Sequence, residues 1–283
     1  MITWSTLFFI EKNKKIVPKG CLMGKSKTTL LHTYCKWSLT DPYQEKGIIV
    51  ATDCTQEWLL TWWWENYIQH NDLPVSFVDF GMSKEMKAWC QEKGNYIPLS
   101  VPNIFIGEKG SFSAIYAEEL EKKHGAYIWE SRHAWFKKPL ACLQSPYKTS
   151  LWMDLDCEIR GPLDPLFSLP LYSGVSLAKN YCEEKGEDIN SGVILFKHGA
   201  PLIKHWAEES FKESALFIGD QDVLRELIDR GNLKTGDLPL LYNWSRFNKE
   251  TPEAIVVHWH GNHGKTSISH QISKRNLELL GFT

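Results

Sequence analysis

The chain has 283 residues, 43% of them hydrophobic, which is enough apolar material for one principal domain with a sizeable core. A formal net charge of -2 supplies no global attraction for a polyanion and excludes nucleic-acid binding as the main task. The 7 cysteines are odd in number and include no C-x-x-C pair, which excludes a disulfide framework and leaves reduced thiols.

Residues 1–46 read as a basic extension ahead of one domain spanning 47–283. Lys12, Lys14, Lys15, Lys19, Lys25, Lys27, Lys36 and Lys46 stand there against Glu11, Asp41 and Glu45. Such a segment suits either an anionic lipid surface or plain solvation. Leu7-Phe8-Phe9-Ile10 is too short for the apolar core of a signal peptide, and no uninterrupted apolar run reaches bilayer length. The sequence therefore predicts a cytoplasmic protein whose membrane contact is at most peripheral.

Gly47-Ile48-Ile49-Val50-Ala51-Thr52-Asp53 has the short β-branched pattern of a buried parallel strand. Thr55 is the expected N-cap of a helix carrying Trp58, Leu59, Trp62, Trp63 and Tyr67 on its core face. A strand over 75–80 and a helix over 83–92 follow, and this order predicts the βαβ start of a Rossmann-like sheet. Ligands of such sheets bind beyond the carboxyl ends of the strands, which makes Ala51, Thr52 and Asp53 candidates for nucleoside contact. Asp53 also suits a turn or cap.

Neither G-x-G-x-x-G nor G-x-x-x-x-G-K-[ST] occurs, so phosphates, if bound, are held by other means. Loop residues from Ser100 lead to a charged helix ending at Lys122, Lys123 and His124. A helix over 131–143 then carries Arg132, His133, Lys137 and Lys138, any of which suits a diphosphate.

The apolar run Ser150-Leu151-Trp152-Met153 ends in Asp154-Leu155-Asp156. On a strand of period two both carboxylates project to one side, where they repel each other unless a divalent cation intervenes. Hard oxygen ligands of this kind suit magnesium or manganese. A solvated acidic turn is the plain alternative.

Gly161-Pro162 to Phe167 reads as a turn into a short helix. Asn190-Ser191-Gly192-Val193 opens a further strand, where Gly192 serves either a close approach or a bulge. Gly219-Asp220-Gln221-Asp222 opens a helix to about Arg230, with Asp220 the expected cap. A last strand over 254–260 runs into a loop, Gly261-Asn262-His263-Gly264-Lys265, where imidazoles and a lysine suit a metal and a phosphate. High tryptophan usage, 13 residues, adds flat faces fit for sugar rings as well as for a core.

In this order the motifs resemble those of the GT-A glycosyltransferases, particularly the retaining family 8 enzymes of the glycogenin and lipopolysaccharide galactosyltransferase type. The block Lys138-Pro139-Leu140-Ala141, Ser145-Pro146-Tyr147 and Leu151 to Asp156 is also similar to mannosyltransferase-like relatives. The likeness covers about residues 47 to 265. It implies an α/β fold, a mostly parallel Rossmann-like sheet flanked by helices, and transfer of a sugar from a nucleotide-sugar donor, UDP-linked in this family, to a hydroxyl of a carbohydrate, glycolipid or protein acceptor.

The resemblance further implies metal ligation by Asp154, Asp156 and His258, with Mn2+ or Mg2+ as the ion. Ala51, Thr52, Asp53 and Arg132 correspond to donor contacts, Asn190 to the strand lining the sugar, and Asp220 and Gln221 to the reacting face. Gly261 and Lys265 correspond to diphosphate contacts. The family spacing H-x-x-G-x-x-K is lengthened here by one residue between Gly261 and Lys265, where His260 or His263 is an alternative. Two rival readings are a metal-dependent hydrolase built on the aspartates with His258, His260 and His263, and a catalytically silent carbohydrate-binding protein that keeps the fold.

Overall fold

A computed structural model describes residues 42–99, 108–182 and 186–279. The basic extension lies outside them up to position 41, as does the first part of the loop expected after Ser100. Among the described residues no helix is long and apolar enough to cross a membrane.

Strand β1 (Gln44–Thr52) starts three residues before the domain boundary read from the sequence, and it pairs in parallel with β2 (Val75–Asp79). Between them α1 (Trp58–Tyr67) begins later than expected, and Thr55 does not cap it. Its core face is Leu59, Leu60, Trp62, Trp63 and Tyr67, with Trp58 turned partly outward. After β2, Ser83 accepts from the amide of Met86 and so caps α2 (Lys84–Lys93), which leads to β3 (Asn95–Pro98).

Helices α3 (Ala114–His124) and α4 (Ile128–Leu143) deliver the chain to β4 (Tyr147–Met153) and, across a turn, to β5 (Cys157–Ile159). The second half adds β6 (Val175–Cys182), β7 (Gly186–Lys197), α5 (Pro201–Glu213), α6 (Asp220–Gly231), β8 (Gly236–Asp237), β9 (Trp244–Ser245), β10 (Val256–His258) and α7 (Gly261–Leu279).

The main sheet has seven strands in the order β3-β2-β1-β4-β7-β6-β8, and β7 alone runs against the others. Strand alternation divides the core into two halves. Ile49 of β1, Trp152 of β4, and Ile194 and Phe196 of β7 face the layer formed by α4, α5 and α6. Ile48 and Val50, Leu151 and Met153, and Val193 and Leu195 face α1 and the smaller sheet. Full burial of each such side chain contributes roughly 1.5–3 kcal/mol.

The smaller sheet, β5-β10-β9, is short, and it joins the two distant segments that carry Asp156 and His258. Its antiparallel register sets His258 opposite Cys157, one residue beyond Asp156, and the amide of Trp259 donates to the Asp156 carbonyl at 2.8 Å. Asp156 and His258, far apart in sequence, are thereby held together at one end of the main sheet.

Candidate active site

Strand β4 ends at Met153, so Asp154, Leu155 and Asp156 lie in the turn to β5. The period-two argument for a shared face therefore does not apply. The carboxylates converge for another reason: Leu155 is buried in the apolar layer and the Cys157 amide donates to the Asp154 carbonyl at 3.2 Å, which closes the turn. Asp154 Oδ2 lies 3.9 Å and Asp156 Oδ1 3.2 Å from one atom, Nε2 of His258.

The proton on His258 follows from its neighbours. Asn243 donates through Nδ2 to the side-chain and main-chain oxygens of Asn190, at 3.0 and 3.4 Å, which turns its Oδ1 toward His258. Nδ1 of His258, 3.0 Å from that oxygen, must then carry the hydrogen. Nε2 is thereby the ring nitrogen turned to the two carboxylates; it is buried and has no partner in hydrogen-bonding geometry. Two carboxylates and one imidazole nitrogen converging on a small volume form a set that a cation would bridge, and the carbonyl-anchored Nδ1 is the usual support of a metal-ligating imidazole. Burial would push the Asp156 carboxyl up, but His258 and Lys265 beside it hold it below the ordinary range.

Gly192 makes this approach possible. A Cβ at that position would lie 2.1 Å from Cε1 of His258. Both readings of the glycine hold, because the pairing of β6 with β7 also slips there, from Leu177 opposite Ile194 to Ala178 opposite Asn190.

Cations and acids of the site are linked by Lys138. Its buried Nζ lies 3.0 Å from Asp154 Oδ1 and 3.3 Å from Asp220 Oδ2, and it donates to Ser191 Oγ at 3.2 Å. Burial would lower its pKa; the two carboxylates outweigh that and keep it charged. Asp220 is not the cap of α6, a role taken by Gly219 with Asp222 accepting from its amide. The Asp220 carboxyl points inward to Lys138 and Ser191, and burial pushes it up to about 6. Gln221 Oε1 accepts from the Ser191 amide at 2.9 Å. Asn190, Asp220 and Gln221 thus meet around the bulge that carries Gly192.

Other expectations need correction. Arg132 does not face the aspartates: it is fully buried and donates to the carbonyls of Ser214, Phe217 and Ile218, fixing the loop before α6. Lys138, nearly two turns along the same helix, is the cation that does. Asp53 turns Oδ1 back to the Thr55 and Gln56 amides and the Thr55 hydroxyl, closing an Asx turn at the end of β1. Thr52 donates to the Asp53 carbonyl at 3.1 Å, and Ala51 beside it is half-buried.

The segment from Gly261 to Lys265 is the first turn of α7 rather than a loop. Lys265 Nζ reaches to 4.0 Å from Asp156 Oδ2, on the helix face shared with Gly261. His260 does not join the aspartates, since its Nε2 bonds Ser245 Oγ at 2.8 Å and burial pushes it down to about 4. His263 is exposed. The Cys157 thiol lies with Asp156 and His258 in a possible ligand set, but burial raises its pKa well above the ordinary value, so it stays protonated.

No family model matches the sequence, and no curated protein matches it. Solved structures do match. The galactosyltransferase LgtC, solved with donor and acceptor sugar analogues, superposes with a TM-score of 0.51 at 15% identity, covering 80% of this chain and 95% of that one. Mouse xyloside xylosyltransferase 1 gives 0.50 at 17% identity over 76% of this chain and 97% of that one. The glycosyltransferase GlyE of Streptococcus pneumoniae gives 0.50 at 18% identity over 77% of this chain and 56% of that one. The chain has the GT-A fold.

In a GT-A fold the end of the sheet occupied by Asp154, Asp156 and His258 is the end beyond the carboxyl termini of the parallel strands, where open α/β sheets hold their ligands. Sequence reasoning does not single out three residues of this site. Ser191 lies within a motif that it does find, whereas Asn243 follows an irregular stretch with no periodic signal. Trp152, whose Nε1 donates to Asp154 Oδ1 at 2.8 Å, reads in the sequence only as a strand residue.

Proposed function

We propose that the protein is a metal-dependent glycosyltransferase, moving a sugar from a nucleotide donor, a UDP-sugar, to a hydroxyl of a carbohydrate, glycolipid or protein acceptor with retention of anomeric configuration. One observation carries the reading: on a GT-A fold, the unpartnered Nε2 of His258 faces Asp156 and Asp154. Two carboxylates and one imidazole suit Mn2+ or Mg2+, and these three residues would hold the ion. When bound, the ion supplies Lewis-acid stabilisation of a departing diphosphate.

The protein's own groups have separable tasks. Asp53, Thr52 and Ala51 sit at the end of β1 and serve the nucleoside. Lys138 keeps Asp154 and Asp220 in register, so the Asp220 carboxylate is held rather than free to act as a nucleophile. Gln221, fixed by its bond to the Ser191 amide, presents an amide to the sugar and is itself a poor nucleophile. Retention then proceeds on one face: the acceptor oxygen bonds to the anomeric carbon, the bond to the phosphate oxygen breaks, and the acceptor proton passes to that oxygen. Lys265 and the first amides of α7 neutralise the charge that develops there.

The test is a panel of nucleotide sugars with manganese, following diphosphate release and the anomeric configuration of the product by NMR. Retained configuration is expected; an inverted product overturns the stereochemical assignment, and no release from any donor overturns the activity. Stoichiometric zinc in the purified protein, without nucleotide-sugar binding, favours the hydrolase instead.

A further inference from the structure

Arg246 stands beside the site on the turn after β9. Its Nε donates to the His260 carbonyl at 2.7 Å, and its guanidinium carbon lies 4.0 Å over the ring of Phe247, itself 71% exposed. The ring meets His260 edge-on with centroids 5.0 Å apart, and the Phe247 amide donates to Ser245 Oγ at 3.2 Å. The plane of the fork is therefore fixed from two directions. Among the described residues no carboxylate lies within 4.0 Å of the guanidinium, and its two terminal amino groups have no hydrogen-bond acceptor.

One of those groups, Nη2, lies 4.0 Å from where a side chain on Gly261 would begin. Gly261 opens a 19-residue helix whose first amides have no intrahelical acceptor. Lys265, one turn on, reaches toward Asp156. Beside them is the buried, unpartnered Nε2 of His258. The guanidinium fork thus stands at the N-terminus of α7, and Lys265, one turn along that helix, connects it to Asp156 of the two-aspartate cradle. The charge-neutral complement is an anion with several oxygens in line, able to touch the cradle and the fork together.

We infer that Arg246 is a further donor-binding residue, whose fork takes phosphate oxygens of the leaving nucleoside diphosphate at the N-terminus of α7, together with Lys265. This rests on the nucleotide-sugar reading above. Arg246 supplies a planar, permanently charged contact, which a lysine in its place reproduces only in charge.

Calorimetric titration with UDP, GDP, ADP and CDP, and with the matching monophosphates, in saturating manganese tests it. For the base that the wild type binds, Arg246→Ala is expected to weaken the diphosphate about 10- to 100-fold. The monophosphate should change much less, so the ratio of the two affinities falls; Arg246→Lys should recover part of the loss. Should Arg246→Ala fail to fold, Arg246→Gln, which keeps a neutral donor, is measured with the same expectation. Unchanged diphosphate affinity, or equal losses for mono- and diphosphate, overturns the inference alone. If the wild type binds none of the four diphosphates, the nucleotide-sugar reading fails and this inference with it.

Discussion

His258 owes its usefulness to Asn243. The amide of Asn243 is oriented by Asn190, and in turn accepts from Nδ1 of the imidazole, an assignment that leaves Nε2 facing Asp156. Asn243→Ala removes that assignment without touching a proposed ligand, and manganese affinity should fall about 10- to 100-fold, measured by electron paramagnetic resonance titration. Asp156→Asn should abolish sugar transfer and manganese-dependent donor binding together; near-normal transfer in this variant would remove Asp156 from the metal site. The sequence singles out Asp156 and His258 as candidate ligands through chemistry and order. It could not choose between Arg132 and Lys138, because six residues place two helical side chains about 120° apart around the axis. Which of them faces the aspartates depends on how α4 lies on the sheet. Asn243 had no signal at all, since it acts through a contact between segments distant in sequence.

Elements that carry their own pattern were legible. Strands β1 and β2 and helices α1, α2 and α6 occur where β-branched runs and helical spacing required them, with shifts of up to three residues at their ends, although neither expected cap, Thr55 nor Asp220, is used as one. Helix α7 was not legible. Its first turn contains two glycines and reads as loop, yet Gly264 lies so close to Trp259 that a Cβ would stand 1.5 Å from the Trp259 carbonyl oxygen, and Ile268 is fully buried below it. Packing overrides low intrinsic propensity there.

Among the strands, β2 is closed by Asp79. This residue accepts from the amides of Gly81 and Met82 and from the Tyr96 hydroxyl, and pairs with Lys87 at 2.9 Å. Burial raises its pKa, but these partners outweigh burial and hold the carboxyl below its usual 3.8. A folded pKa below the unfolded one gives stability that is complete above the unfolded value and is lost as pH falls through the folded one. Asp79→Asn should cost about 1.5–3 kcal/mol at neutral pH, and should flatten the fall of Tm as pH drops below about 4, as followed by circular dichroism.

For the molecule as a whole, the two sheets meet where the proposed ligands meet, so ligand binding should tie them together. Manganese with a matching nucleoside diphosphate at about 100 times its Kd adds about 2.7 kcal/mol, which for a domain of this size raises Tm by roughly 5–10 °C or less. The shift should vanish in Asp156→Asn and on adding a chelator, as read by differential scanning fluorimetry.

The sequence by itself determined the class of fold, through alternating strand and helix patterns, and the order in which Asp154, Asp156, Asn190, Asp220, Gln221 and His258 succeed one another. Period and propensity are properties of neighbouring residues and can be read along the chain. The tertiary structure alone decided that the aspartates sit in a turn, that Arg132 is internal, that Lys138 bridges Asp154 and Asp220, and that Asn243 anchors Nδ1 of His258. Each of these is a contact across the gap between elements, set by the register of β5 with β10 and the seat of α4 on the sheet, and no local pattern records it.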